Sequence, residues 1–258
     1  MTPLPLTPAP GSAPFARQVL AQASLEARLL LRNGEQLLLA VVIPVLALVG
    51  GVLAAERVGL DFDATAVDVL TPGVLALAVM STSFTSLAIA TGFERRYGLL
   101  KRLGASPLPR LGLLFGKVLA LLGVQVLQGI VICTVAVLLG WNPGGGVAGI
   151  LLALAGALLG TLAFAALGLA LAGALRAEAT LAAANLVYLL LMMGGGIVLP
   201  RSSYGAAGDY LAFLPSAALG DVMRDGLIDG TTSATAFVVL TTWAVLAAAL
   251  ASRSFTWE

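Results

Sequence analysis

The chain has 258 residues, 59% of them hydrophobic and only 10% charged, with a formal net charge of +1. Soluble domains carry about 25% charged residues, so so little polar surface excludes an ordinary water-soluble fold. Histidine is absent and Cys133 is the single cysteine; imidazole catalysis, a zinc site and a disulfide framework are excluded, and no catalytic or metal-ligating set is predicted.

Residues 1–14, MTPLPLTPAPGSAP, are Pro-rich and lack a basic start followed by an apolar core. They read as a disordered tail rather than a secretory signal, leaving 15–258 as a single membrane domain. Residues 15–33 predict an amphipathic helix: Arg17, Ser24, Arg28 and Arg32 fall on one face and Phe15, Val19, Ala23, Ala27 and Leu30 on another, with Leu25 and Leu29 blurring the division. Such a helix either lies in the inner membrane interface or simply precedes the first span.

About 20 apolar residues cross a bilayer as a helix. On that measure six spans are predicted, at about Leu37–Ala55, Pro72–Gly92, Leu113–Gly140, Val147–Leu175, Leu181–Leu199 and Ala234–Ser252. The third and fourth exceed the needed length and predict tilt or projection beyond the hydrocarbon. Trp141-Asn-Pro-Gly-Gly-Gly146 between them is a turn cluster. Cys133 lies in the third span and reads as a small hydrophobe.

Between spans two and three, Phe93–Arg110 holds five of the 14 Lys and Arg residues. Glu94 through Leu103 predicts a short helix stopped by Gly104 and the Pro107/Pro109 pair. Glu94, Arg95, Lys101 and Arg102 would share one side, and Leu99, Leu100 and Leu103 the other. From the residues alone this is either a lever gripped by a soluble partner or a positively charged loop with no partner.

With six spans both termini share a side. That side receives Arg17, Arg28, Arg32, Arg95, Arg96, Lys101, Arg102, Arg110, Lys117, Arg176 and Arg253, and the other only Arg57, Arg201 and Arg224. The asymmetry predicts both termini in the cytoplasm of a multi-pass protein of the cytoplasmic (inner) membrane. The opposite segments are acidic, with Glu56, Asp61, Asp63, Asp68, Asp209, Asp221, Asp225 and Asp229.

Residues 200–230 carry too many charges for a crossing, because each charge at the bilayer centre costs about 2.5–3.5 kcal/mol. Tyr210–Leu219 is nevertheless apolar, and Gly194-Gly-Gly196 and Pro200 end the preceding helix. The expectation is an extracellular re-entrant segment that dips into the membrane edge and returns.

Within the spans the polar residues are uncharged: Ser81, Thr82, Ser83, Thr85 and Ser86 in the second, Gln125 and Gln128 in the third, Asn185 and Tyr188 in the fifth. Without a mid-membrane carboxylate, ion coupling is disfavoured and the cargo is expected to be apolar or amphipathic. Asn185 and the glutamines also suit plain hydrogen bonding between helices, and Gly156-x-x-x-Gly160 suits close helix approach.

The loop Phe93–Arg110, with its Leu-Lys-Arg-Leu core, resembles the loop after the second span in ABC-2 type transporter permeases. Gly195-Gly-Ile-Val-Leu-Pro200, Leu211-Ala-Phe-Leu-Pro215 and Asp221-Val-Met-Arg-Asp-Gly226 are similar to that family's outer re-entrant segment. The resemblance covers nearly the whole chain. It implies an all-α polytopic membrane protein with six transmembrane helices, an amphipathic N-terminal interfacial helix, a cytoplasmic coupling helix between spans two and three, and the extracellular re-entrant segment between spans five and six.

The resemblance further implies an exporter in which two permeases, identical or related, sit on ABC ATP-binding subunits. Glu94, Arg95, Arg96, Lys101 and Arg102 would then form the coupling contact with the ATPase, and Ser83, Phe84, Asn185, Tyr188 and Met192 would line the substrate path. Tyr97-Gly98 departs from the family, which often has a charged residue before the glycine. The chain contains no Gly-x-x-x-x-Gly-Lys-Ser/Thr phosphate loop, so ATP and Mg would bind the partner ATPase and no cofactor is expected here. An ion-coupled carrier and a non-transporting membrane assembly subunit are the alternatives.

Overall fold

A computed structural model describes residues 13–32, 34–59, 64–105 and 108–254. Most of the Pro-rich tail, Asp61, Asp63 and Pro107 fall outside the described residues. The described chain is all helical. Helix α1 is Phe15–Arg32, α2 Gly34–Val58, α3 Ala66–Met80, α4 Leu87–Arg96, α5 Leu99–Gly104, α6 Arg110–Leu138 and α7 Gly146–Ala174. Helix α8 is Ala177–Gly194, α9 Gly208–Leu211, α10 Pro215–Arg224 and α11 Ala234–Ser254. Six segments among the described residues are long and apolar enough to cross a membrane: Ala40–Val58, Ala66–Arg96, Leu111–Leu138, Gly146–Ala174, Ala177–Gly194 and Ala234–Arg253.

The second span begins at Ala66, earlier than the expected Pro72, because Thr65 and Asp68 cap it. The Asp68 amide donates to Thr65 Oγ1 (3.3 Å), whose hydroxyl donates to Asp68 Oδ2 (2.5 Å). Mid-way, Ser81–Ser86 widens into a π-helical segment joining α3 to α4. Hydroxyls that bond back onto the preceding turn, such as Ser83 Oγ to the Val79 carbonyl (2.5 Å), favour such distortion. The third, fourth and sixth spans stay within a few residues of expectation. The fifth starts at Ala177 rather than Leu181, and ends at Gly194 rather than Leu199 because Gly195 and the left-handed Gly196 (φ 68°) unwind the chain ahead of Pro200.

The core sits where α3, α7 and α10 meet, around Leu77, Met80, Phe164, Leu219 and Leu240. Helix α10 is buried along most of its length and packs between α3, α7 and α11. It runs antiparallel to the first half of α7. A methyl at Gly149 would collide with the Gly226 carbonyl, the side chain of Val222 fills the space at Gly156, and Leu219 Cδ1 lies 2.8 Å from where a Cβ at Gly160 would stand. The two glycines of the GxxxG pair thus admit branched side chains from α10. From Gly149 to Gly160 the contact covers about 16 Å of helix.

Candidate coupling and translocation surfaces

At the end of the bundle rich in arginine, the expected helix from Glu94 to Leu103 is broken in two. The second span continues through Arg96, and the left-handed Gly98 (φ 69°) turns the chain before α5. Only glycine adopts that conformation without cost. The Tyr97 amide donates to the Phe93 carbonyl (2.9 Å) and the Gly98 amide to Arg95 (3.0 Å), closing α4. Glu94 and Arg95 therefore do not share a face with Lys101 and Arg102.

The break gives the five residues different surroundings. Glu94 is half-buried and accepts from Lys117 Nζ with both carboxylate oxygens (2.8 Å each). The same ammonium donates to Glu26 of α1 (2.8 Å), and Gln22 Nε2 also donates to Glu26 (2.8 Å). Arg95 donates to the carbonyls of Gly173 (2.8 Å) and Leu175 at the end of α7, where the helix runs out of its own donors. Arg96 forms an exposed ion pair with Glu178 in the first turn of α8. Lys101 and Arg102 are exposed, while Leu100, 1% exposed, anchors α5 from beneath.

Helix α1 lies against the first half of α6. Phe15 packs edge-on to Phe115, centroids 6.4 Å apart, and the Gln22 side chain fills the space over Gly116. Ala23 is buried, whereas Arg17, Ser24, Arg28 and Arg32 are exposed, as the amphipathic pattern requires. Lys117 is the residue that sequence reasoning missed. In the sequence it is one more charge on the arginine-rich side, and its apolar neighbours on α6 are the one hint that it needs a partner.

The expected path-lining residues are not brought together on one surface of the single chain. Ser83 and Phe84 are buried against α7, with Phe84 edge-on to Phe164 (6.5 Å between centroids). Asn185 is exposed on α8, and Tyr188 and Met192 are half-buried. Polar groups of the second and third spans are linked instead. Thr82 Oγ1 donates to Gln128 Oε1 (2.8 Å), and Gln128 Nε2 donates to the Ala40 carbonyl (2.8 Å), joining three spans.

At the acidic end, Arg224 holds the unwound chain after α8. Its Nη2 donates to the carbonyls of Ile197 (2.5 Å) and Val198 (2.8 Å), and Nη1 approaches that of Gly196 (3.4 Å). Burial pushes the guanidinium down to about 10, opposed by the charges of Asp221 and Asp225, so it stays protonated at neutral pH. Asp221 is raised by burial, a shift opposed by Arg201, whose Nε donates to it at 2.5 Å. Ser216 Oγ donates to the Gly195 carbonyl (2.8 Å), and Trp243 Nε1 to that of Phe213 (2.9 Å).

Residues 17–228 match the family described as ABC-2 type transporter. The chain belongs to that family. It is thus the multi-pass permease subunit of an ABC transporter, a machine that pairs such a subunit with an ATP-binding one. The matched region runs from α1 through the turn after α10, so it includes the split loop, the Lys117 network and the Arg224 clamp. No curated protein matches the chain significantly.

Proposed function

We propose that this permease subunit serves an ATP-driven exporter of an apolar or amphipathic molecule across the cytoplasmic membrane, by alternating access in a pair of permeases. The chain itself carries no catalytic site; ATP hydrolysis belongs to the ATP-binding subunit. The arginine-rich end, with both termini, faces the cytoplasm, and α1 lies in the inner interface with its arginines toward anionic headgroups. Helix α10 and the turn after it re-enter from outside: their contact of about 16 Å along α7 matches half of the ~30 Å hydrocarbon thickness.

The observation that carries the coupling reading is how the end of the second span is wired. Glu94 reaches Lys117 and through it Glu26, Arg95 reaches the end of α7, and Arg96 reaches α8. Displacing this segment moves four other helices. Lys101 and Arg102, exposed on α5, are the contact with the ATPase, and Glu94, Arg95 and Arg96 pass its movement on. Asn185 reaches the substrate path where a second permease brings the exposed face of α8 opposite its own, with the half-buried Tyr188 and Met192 on the same helix; Ser83 and Phe84, buried against α7, join the path only when the second span shifts on coupling. The uncharged interior favours an apolar or amphipathic cargo.

Reconstitution with the ATP-binding subunit tests the reading. Transport into vesicles should require ATP and vanish on omission of that subunit, whereas transport driven by an ion gradient alone would overturn it. Single cysteines at Lys101 and Tyr210, in a Cys133→Ala background, should label from the inside and the outside of intact cells respectively.

A further inference from the structure

The second span, Ala66–Arg96, is one crossing by length but two bodies by attachment. Its outer half, α3, packs on α2 and α10. A Cβ at Gly73 would stand 2.5 Å from the Val198 carbonyl and 2.8 Å from that of Ile197, the two carbonyls that Arg224 holds. Asp68 Oδ1 accepts from the Asn142 amide (3.3 Å), which ties the first turn of α3 to the loop between α6 and α7. The lower half, α4, packs on α7 and α8 instead. Thr180 of α8 closes over Gly92, 3.4 Å from where a Cβ would be, and Glu94, Arg95 and Arg96 fasten the end of α4 to α6, α7 and α8.

The π-helical Ser81–Ser86 is all that joins these halves. Such widened turns hold their backbone by i→i+5 bonds and are places where helices kink. Elsewhere in the chain Thr71, Thr134, Thr161 and Thr241 each donate to the carbonyl four residues back at 2.7 Å. Thr85 is the exception inside the π segment: its hydroxyl is buried without a partner, because the wide turn carries the Ser81 carbonyl out of its reach. Locally the backbone gains by tightening. Contacts from other helices hold it open, Thr82 on Gln128 of α6 and Phe84 edge-on to Phe164 of α7. Below it α7 presents Gly168, where a Cβ would stand 2.8 Å from the Phe84 carbonyl. At that point the segment rests on bare backbone, with no side chain to interlock.

We infer that Ser81–Ser86 is the hinge of the second span: α3 stays with the outer core while α4 swings with the arginine-rich end. The force that drives the swing comes from the coupling proposed above, whereas the hinge is a property of the single chain. A few residues at the joint of two firmly attached bodies absorb the change, as hinges do. Bending here carries Glu94, and through it Lys117 and Glu26, without disturbing the Arg224 clamp.

Nitroxide distances test the hinge. Asn142→Cys, beside the start of α3, and Tyr97→Cys, at the end of α4, are labelled in a Cys133→Ala background and diluted with unlabelled chain in lipid nanodiscs. In the complex with the ATP-binding subunit, trapping with ATP and vanadate should shift this distance by about 5 Å, the travel of a helix about 15 Å long swung through about 20°. The distance from Asn142→Cys to Tyr210→Cys, within the outer core, should not change. Deleting Thr85 removes the residue that widens the turn and leaves the faces of α3 and α4 in place. It should abolish both the shift and ATP-driven transport, whereas Thr85→Ala, which keeps the length, should preserve both. No shift in a complex that transports, a shift that survives the deletion, or one shared by both pairs overturns the proposal. In the chain alone, the distances across the hinge should be spread more widely than those within the outer core. Equal spreads there overturn the hinge even where the deletion fails to fold, or where ATP drives no transport and the coupling reading has itself failed.

Discussion

The Lys117 ammonium lies 2.8 Å from the Glu94 carboxylate, with the lysine side chain only 3% exposed. One buried cation thus joins the start of the third span to the end of the second, and Glu26 adds the N-terminal helix to the same charge. Removing one partner of a buried pair strands the other and costs about 3–5 kcal/mol. Lys117→Met should therefore lower the thermal midpoint of the detergent-solubilised protein markedly. Adding Glu26→Gln and Glu94→Gln should recover most of the loss. Recovery without restored transport would separate stability from coupling.

Arg224 should matter for a different reason. It satisfies carbonyls that no helix satisfies, and hydrogen bonds to a charged group contribute about 1.5–3 kcal/mol each. Arg224→Met should loosen the segment 195–200 and raise its cleavage by added protease in the purified protein. Arg224→Lys should recover only part, since an ammonium lacks the planar fork.

Gly149 is the place where α7 meets the turn after α10, and a side chain there collides with the Gly226 carbonyl. Gly149→Val should destabilise the protein by more than about 1–3 kcal/mol, the usual cost of overpacking, because the obstacle is backbone and cannot rotate away. Gly123, with open space around it, is the control: Gly123→Ala should be neutral or slightly stabilising in a thermal scan.

Lys101 and Arg102 should behave oppositely to Lys117. Both are exposed, so reversing them to glutamate should change stability by no more than about 0.5 kcal/mol. Copurification of the ATP-binding subunit should nevertheless fall sharply. Arg96→Gln removes an exposed pair worth about 0–1 kcal/mol; it should leave subunit binding intact while reducing ATP-driven transport.

Six crossings and the amphipathic first helix were legible because both rest on local hydrophobic pattern, which the bilayer enforces residue by residue. The split at Gly98 was less so. The charges around it suggested one helix face, and only the closing hydrogen bonds at Tyr97 and Gly98 show where the helix stops. Glu94 looked like a docking residue by its neighbours in sequence, yet its partner Lys117 is 23 positions away.

Sequence alone determined that this chain must live in a bilayer, that its positive charges collect at one end, and that it resembles the ABC-2 type permeases. Those are properties of composition and spacing, to which the solvent responds directly. Tertiary structure decided which charges are paired inside and which stay outside, that Arg224 clamps unwound backbone, and that Thr85 is left with an unmet hydroxyl in a widened turn of the second span. These depend on distances between helices far apart in the chain, fixed by how glycines let some of them touch and hold others away.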